Sequence, residues 1–347
     1  MPVDKISNDP LFQETCIYQT LRENPLGFID IGSMEAIHPI IAPVSSLTHV
    51  LCFEPNKDEE QKLIQKYSKH PYKGLTVSNS AIFSENRTEQ PLYVTKNIVG
   101  SSLLPPHQSL IERYNLNGLT ITHSEKVKTE TLDHVCSATA SHSYRPGELL
   151  KIDAQGVAYE VLTGSTKLLT ENCLAIWCEV EFIDIYTGQK HITDIIDFLK
   201  DYGFCLFGLY PHYLSNRMLD RKRYRTEERI PWADAFFFKD PLDDSNRDKQ
   251  FKQRDIHVLI AVAIITEYYD YALELASTYI ESPEDRLQIE KFIKHAGKID
   301  QGALMESVKD LSLSCQSDPE NVYLHIHKFI SLHKSHSDLD FLLKSHE

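Results

Sequence analysis

Gly27-Phe28-Ile29-Asp30-Ile31-Gly32 and, a short way on, His49-Val50-Leu51-Cys52-Phe53-Glu54 decide the fold of this chain. Each is a brief apolar run without polar alternation, the pattern of a strand buried on both faces of a parallel sheet. Gly32 ends the first run and Glu54-Pro55-Asn56 ends the second. The stretch Lys57 to Lys69 that follows is charged, with Leu63, Ile64 and Tyr67 at helical spacing. Strand, turn and amphipathic helix in that order make one half of a strand–helix–strand unit.

The same alternation runs on along the chain. Leu75 to Val77 begins a third strand and Leu92 to Thr95 a short accessory one. Leu149 to Asp153 is the next strand, broken by Gly156, and Val157 to Leu169 carries Val161, Leu162, Leu168 and Leu169 at helical spacing. Leu174 to Phe182 is a long strand, Ile192 to Tyr202 a helix with Gly203 at its C-terminus, and Phe204 to Leu209 and Ala235 to Phe238 complete a sheet. The expectation is an α/β domain with a doubly wound sheet. From about Asp248 the alternation stops: Ile256 to Ile280, with a break near Tyr268 to Asp270, Glu284 to His295, Ala303 to Leu313 and Asn321 to His333 all read as helices. The division expected is a helical lead-in over 1–24, an α/β domain over 25–247 and an all-α C-terminal domain over 248–347. The broad apolar faces of those last helices require cover, from the α/β domain or, as a second reading, from a homodimer contact.

Composition excludes several classes of function. With 347 residues and a net charge of −14, the chain has room for more than one core and lacks the concentrated basic surface a nucleic-acid partner needs. The one basic cluster, Arg217 to Arg225, reads as a solvated face, or else as a site for an anionic substrate. The 7 cysteines show no paired spacing and several sit in apolar runs, as free thiols in a reducing cytoplasm do. No stretch approaches the roughly 20 apolar residues that span a bilayer, and the N-terminus has no secretory pattern, so the chain reads as a soluble cytoplasmic protein without a transmembrane segment.

Chemistry is expected at the carboxyl ends of the strands, where an open α/β sheet binds its ligands. A glycine after the first strand lets the chain turn tightly into a helix whose amides can face a ligand carboxylate, and an acidic residue ending the second can accept hydrogen bonds from ribose hydroxyls. Asp30, Gly32 and Glu54 therefore read as a nucleoside-binding pair of strand ends, with turn chemistry plus a solvated Glu54 as the alternative.

Later segments make the pattern specific. IDIG (Ile29–Gly32), CFEPN (Cys52–Asn56), GSSLL-P (Gly100–Pro105) and above all KIDAQGVAYEVLTG (Lys151–Gly164) occur in order, joined by VKTETLDHV (Val127–Val135) and CEVEFIDIYTGQ (Cys178–Gln189). Across about residues 25 to 240 the chain resembles the FkbM-family methyltransferases. That resemblance implies a class I methyltransferase Rossmann-like sheet, S-adenosyl-L-methionine as cofactor, and O-methylation of a hydroxyl on a saccharide or glycan precursor. It implies Asp30, Gly32 and Ser33 beside the methionine part of the donor, Glu54 and Asn56 at the ribose, and Ser80 and Ala81 at the adenine. Asp153 and Glu179 would face the methyl-transfer cleft. The acceptor expected is a small molecule or saccharide; a lipid or polyketide-type metabolite is the alternative within the same chemistry.

One segment departs from the family. After Gly32 the family usually has a further glycine or small residue, whereas this chain has Ser33-Met34-Glu35-Ala36. Later glycines serve dinucleotide enzymes by admitting a pyrophosphate, which S-adenosylmethionine lacks. A rival reading takes this loop as the mark of a scaffold that binds a partner through its helical C-terminal domain. For transfer itself, an in-line displacement needs an aligned acceptor oxygen and a base for its proton. Asp153 is the first candidate base, with Glu179 and Glu181 behind it, and helix capping is the rival role for Asp153. His38, His107 and His123 are weaker candidates. His325 and His327 point to different faces of a helix, and no metal site is expected.

Overall fold

The computed structural model describes residues 3–332 apart from 35, 140–143, 216–217, 220–223, 225 and 299–300. Most of the basic cluster 217–225, Glu35 of the departing loop and the tail 333–347 therefore lie outside the described residues.

Among the described residues ten strands form two sheets. The seven-stranded sheet contains β1 (Leu26–Ile31), β2 (Thr48–Phe53), β3 (Gly74–Ser78), β7 (Leu149–Ile152), β8 (Ala175–Glu181), β9 (Phe204–Pro211) and β10 (Trp232–Lys239), in the order β3-β2-β1-β7-β8-β10-β9. A small sheet, β4-β6-β5, is made of β4 (Ala81–Ile82), β5 (Arg87–Thr95) and β6 (Ile121–Glu130). In the large sheet every pairing from β3 to β8 is parallel, and β10 runs antiparallel to both β8 and β9. The order reverses between β1 and β7, which places the topological switch point at the carboxyl ends of β1 and β7.

Alternate residues of the central strands face opposite layers. Phe28 on β1, Val50 and Cys52 on β2 and Phe236 on β10 belong to one core; Ile29, Ile31, Leu51, Phe53 and Phe237 belong to the other. The second core is covered by the helices Ala158–Thr163, Thr166–Glu171 and Ile192–Asp201, all short and apolar on their inner sides. The first core is covered mainly by the helix Gln253–Ile265, in which every residue from Asp255 to Ile265 is buried.

Two expected helices take a different form. The segment after β1 is a kinked 3-10 helix, Pro39–Leu47, reached through an open loop rather than a tight turn. Pro43, inside it, removes a backbone donor and excludes a regular α-helix, whereas Pro39 stands at the first position, where a proline is tolerated. The stretch 157–169 divides in two at Gly164 and Ser165, because a Cβ on Gly164 would stand 2.4 Å from the carbonyl oxygen of Phe83. The expected break in the first C-terminal helical stretch lies at residues 266–268, where Glu267 takes a left-handed φ of 65°.

The helices Gln253–Ile265, Tyr269–Tyr279 and Pro283–Ala296 belong to the same compact unit as both sheets, residues 1–216 and 228–297. The helices Gln301–Ser317 and Val322–Leu332 belong to a second unit, residues 217–227 and 298–347. Among the described residues no helix is long and apolar enough to cross a membrane. All seven cysteines are free thiols.

Candidate functional site

At the switch point the two sheets enclose a cavity of about 440 Å³. Its floor is made by the strand ends of β1, β2 and β7, and the small sheet supplies an apolar wall with Ile82, Leu92 and Val94. Gly32 lines the floor with φ of +79°. A Cβ there would lie 1.9 Å from the Asp153 carbonyl oxygen, so only glycine lets the β1 and β7 loops close on each other.

Glu54, at the end of β2, lines the cavity and is only 5% exposed. Its Oε1 accepts a hydrogen bond from the Asn56 amide at 2.8 Å. Burial pushes the carboxyl up to about 7, with Asn56 pulling the other way. Asn56 lines the same wall while its Oδ1 caps the helix Lys57–Lys66 through the amides of Asp58 and Glu59, at 3.0 and 3.2 Å. Ser80 and Ala81 line the opposite end, where Ser80 Oγ donates to Glu130.

Asp30 and Ser33 sit beneath this surface rather than on it. The Asp30 side chain is fully buried; Oδ1 lies 3.0 Å from Lys151 Nζ and Oδ2 accepts from the His38 amide at 2.7 Å. Ser33 Oγ donates to the Asp30 carbonyl at 3.0 Å. Lys151 binds the loop from below: its ammonium donates to the carbonyls of Ile31 and Gly32, both at 3.1 Å. Asp30 adds an ion pair rather than a third hydrogen bond, and Lys151 itself also lines the cavity. Desolvation works against the Lys151 charge, yet Asp30 and Asp153 hold its pKa above the ordinary value.

The loop after β7 carries the polar end of the cavity. Asp153 lines it with its side chain 40% exposed, and its Oδ1 accepts from Gln155 Nε2 at 2.7 Å. The same nitrogen donates to Glu179 Oε1 at 3.1 Å, which joins the ends of β7 and β8. Glu179 itself is outside the cavity wall, opposite Asp234 in the β8–β10 register. Burial first, then Asp153, Glu181 and Asp234, hold its carboxyl well above the usual range. Glu181 is 2% exposed, and burial lifts it to about 8. His38 reaches the cavity from the β1 loop and lies 5.4 Å from the Trp177 ring; burial and then Lys151 lower its pKa. His107 and His123 do not line the cavity, and His123 pairs with Glu125 at 3.0 Å.

Gln155 holds the loop in a strained form, with φ of 47° in the left-handed region that non-glycine residues seldom occupy. Four contacts fix it there. Besides Asp153 and Glu179, its Oε1 accepts from Tyr186 Oη at 3.0 Å and its carbonyl accepts from Ser102 Oγ at 2.6 Å. Tyr186 Oη also reaches the Gly100 carbonyl at 3.0 Å. The GSSLL, KIDAQG and CEVEFIDIYTGQ segments, far apart in sequence, thus close into one network.

Residues 34–206 match the model of the methyltransferase FkbM domain. The chain belongs to the FkbM methyltransferase family. The β3-β2-β1-β7-β8-β10-β9 order with antiparallel β10 is the class I methyltransferase sheet expected of such a domain. Among solved structures the chain is similar to methyltransferase FkbM from Methylobacillus flagellatus KT, at 11% identity and TM-score 0.37, covering 62% of this chain and 43% of that one. It spans, then, less than half the length of that protein. It is also similar to a precorrin-6y C5,15-methyltransferase from Geobacter metallireducens, at 13% identity and TM-score 0.33, covering 69% of this chain and 94% of that one. No curated protein matches the sequence.

Lys151, Gln155 and Tyr186 are the organising side chains that the sequence reading left without a role in the FkbM domain. Lys151 had a visible signal, a lysine inside the apolar run Leu149-Leu150-Lys151-Ile152. Gln155 and Tyr186 had none, since their roles come from a contact across the sheet. Among the described residues no group of three or more His, Cys, Asp or Glu side chains is arranged to hold a metal ion.

Proposed function

We propose that this chain is an S-adenosylmethionine-dependent O-methyltransferase acting on a hydroxyl of a saccharide or glycan precursor. The observation that carries the reading is one cavity with a glycine floor, a buried carboxylate at one strand end and a polar, carboxylate-rich end at another. Its volume of about 440 Å³ falls in the range of roughly 300–1,000 Å³ typical of small-molecule sites. The residues fit the cofactor: Gly32 leaves room where any Cβ would block, Glu54 and Asn56 offer acceptors for a ribose, and Ala81 with Ile82 offers an apolar seat for a base. Asp30, Ser33 and Lys151 hold the floor in shape from below. When bound, the cofactor supplies an electrophilic methyl group.

The chain's own residues supply position and proton transfer. Asp153, exposed to the cavity and oriented by Gln155, takes the acceptor hydroxyl's proton. Glu179, whose carboxyl burial and its acidic neighbours push well above the usual range, steadies Gln155. His38, backed by Trp177, gives the cavity one ring-bearing side for a polyhydroxyl acceptor. The mostly buried free thiols and the absence of a long apolar helix among the described residues support a cytoplasmic location.

The test is donor consumption measured across sugars, nucleotide sugars, lipids and polyketide-type alcohols. Turnover on a saccharide is the expected result, and turnover confined to the lipids or polyketides would move the acceptor class. Asp153→Asn should lower kcat about 10²–10⁴-fold with donor affinity within a few-fold, and near-full turnover by that variant would remove Asp153 as the base.

A further inference from the structure

A second cavity, of about 450 Å³, opens at the opposite edge of the large sheet, where β7 and β8 begin and the antiparallel β10 ends. It shares no residue with the first. Arg145, Lys239, Lys249 and Lys252 all line it, a concentration of cations in a chain of net charge −14.

Their partners divide them. Arg145 is committed to Asp255 at 2.6 Å and to the Glu171 carbonyl at 2.8 Å. Lys239 is only 6% exposed, and its ammonium reaches the Leu169 carbonyl, the Thr170 carbonyl at 3.4 Å and the face of Phe204 at 5.0 Å. Those carbonyls end the helix Thr166–Glu171, so Lys239 caps it. They are dipoles, however, and leave the buried charge without a counter-ion. Among the described residues no carboxylate forms an ion pair with Lys239, Lys249 or Lys252. Burial pulls the Lys239 ammonium down to about 8, the response of a cation held out of water without an anion. Capping accounts for Lys239; Lys252 starts the helix Gln253–Ile265 through its backbone amide, which leaves its side chain and that of Lys249 exposed at the rim.

We propose that this cavity binds a small oxyanion of the phosphate class, held between buried Lys239 and the rim lysines Lys249 and Lys252. Glu171, Asp201 and Asp255, the last already paired with Arg145, also line it, so a singly charged ligand would gain little and a multiply charged one is favoured. The site is separate from the methyl-transfer cavity and does not depend on the reaction proposed there.

The experiment titrates the full chain with inorganic pyrophosphate at low ionic strength by calorimetry, with S-adenosylhomocysteine titrated in parallel. Pyrophosphate should bind at one site, and Lys249→Ala combined with Lys252→Ala should weaken it at least about tenfold while leaving S-adenosylhomocysteine affinity within about twofold. Both lysines are exposed, so the double variant keeps the core intact. Pyrophosphate should also raise the titration midpoint of the Lys239 ammonium, followed by NMR. Three results would each overturn the proposal: no pyrophosphate binding in the millimolar range, binding unchanged in the double variant, or competition with S-adenosylhomocysteine.

Discussion

Glu54 shows how a single residue's surroundings set its chemistry. Ending β2 beneath the small sheet, it loses water, and its carboxyl rises from the ordinary 4.5 to about 7. The folded chain therefore holds this proton more tightly than the unfolded chain. Stability contributed by Glu54 falls as pH rises from the unfolded value near 4.5 to about 7, and is level above that. Ligand binding runs the other way, because ribose hydroxyls donate best to the carboxylate. S-adenosylhomocysteine affinity should thus improve as pH rises through about 7, and Glu54→Gln should flatten that rise while weakening binding by about 1–3 kcal/mol. Calorimetry between about pH 6 and pH 8 checks it; an unchanged pH slope in Glu54→Gln would assign the titration to another group. Lys151 belongs to the same scale. It donates to the carbonyls of Ile31 and Gly32 and pairs with the Asp30 carboxylate, so it shapes the floor of the cavity that it lines.

Among the elements, the loop after β7 concentrates both the legible and the hidden parts of the site. Strand, Asp153 and Gly156 were plain in the sequence, because an apolar run, a charge and a glycine are local signals. Gly156 takes φ of +82°, and a Cβ there would stand 2.5 Å from the Tyr186 ring. What no local signal carried was the pairing of that ring with Gln155, since the strained φ of Gln155 is held by partners on three other segments. The segment after β1 differs for a related reason: glycine after a strand reads as a turn into an α-helix, and the interior proline at 43 decides against it. Tyr186→Phe keeps the packing against Gly156 and removes only the hydroxyl. The Gly100 carbonyl and Gln155 Oε1 then lose a buried donor, at about 1–3 kcal/mol. A lowered Tm is expected together with reduced kcat/KM. A variant with wild-type Tm and wild-type kinetics would show that the network contributes nothing.

At the scale of the molecule, the C-terminal helices decide what the α/β domain can do alone. Sequence periodicity marked them as helical and apolar, and left open what their faces cover. The helix Gln253–Ile265 lies on the sheet face that carries Phe28, Val50, Phe236 and Phe238, a face it shares with the proline-bent helix Pro39–Leu47, the N-terminal helices and the helix Tyr269–Tyr279, whose Tyr271 ring stands 5.0 Å from that of Phe238. Each buried Val, Leu or Ile in it contributes about 1.5–3 kcal/mol relative to exposure. Arg254 fixes its start: Nε and Nη2 both lie 2.8 Å from the Glu148 carboxylate, and the guanidinium also donates to the carbonyls of Asn24 and Pro25. Glu148 is fully buried at the head of β7, and removing Arg254 would leave it only the Gly27 amide and the more distant Arg145 at 3.9 Å, at a cost of up to about 3–5 kcal/mol. A chain ended after residue 247 therefore loses both the apolar cover and the counter-charge, and should aggregate or melt early. A chain ended after residue 297 keeps the whole first core, and should stay monodisperse and bind S-adenosylhomocysteine as the full chain does. Light scattering, thermal melts and calorimetry on the two truncations give the comparison. A stable, donor-binding 1–247 fragment would reduce the helix to an accessory, and an aggregating 1–297 fragment would show that the sheet and its three C-terminal helices do not complete a core by themselves.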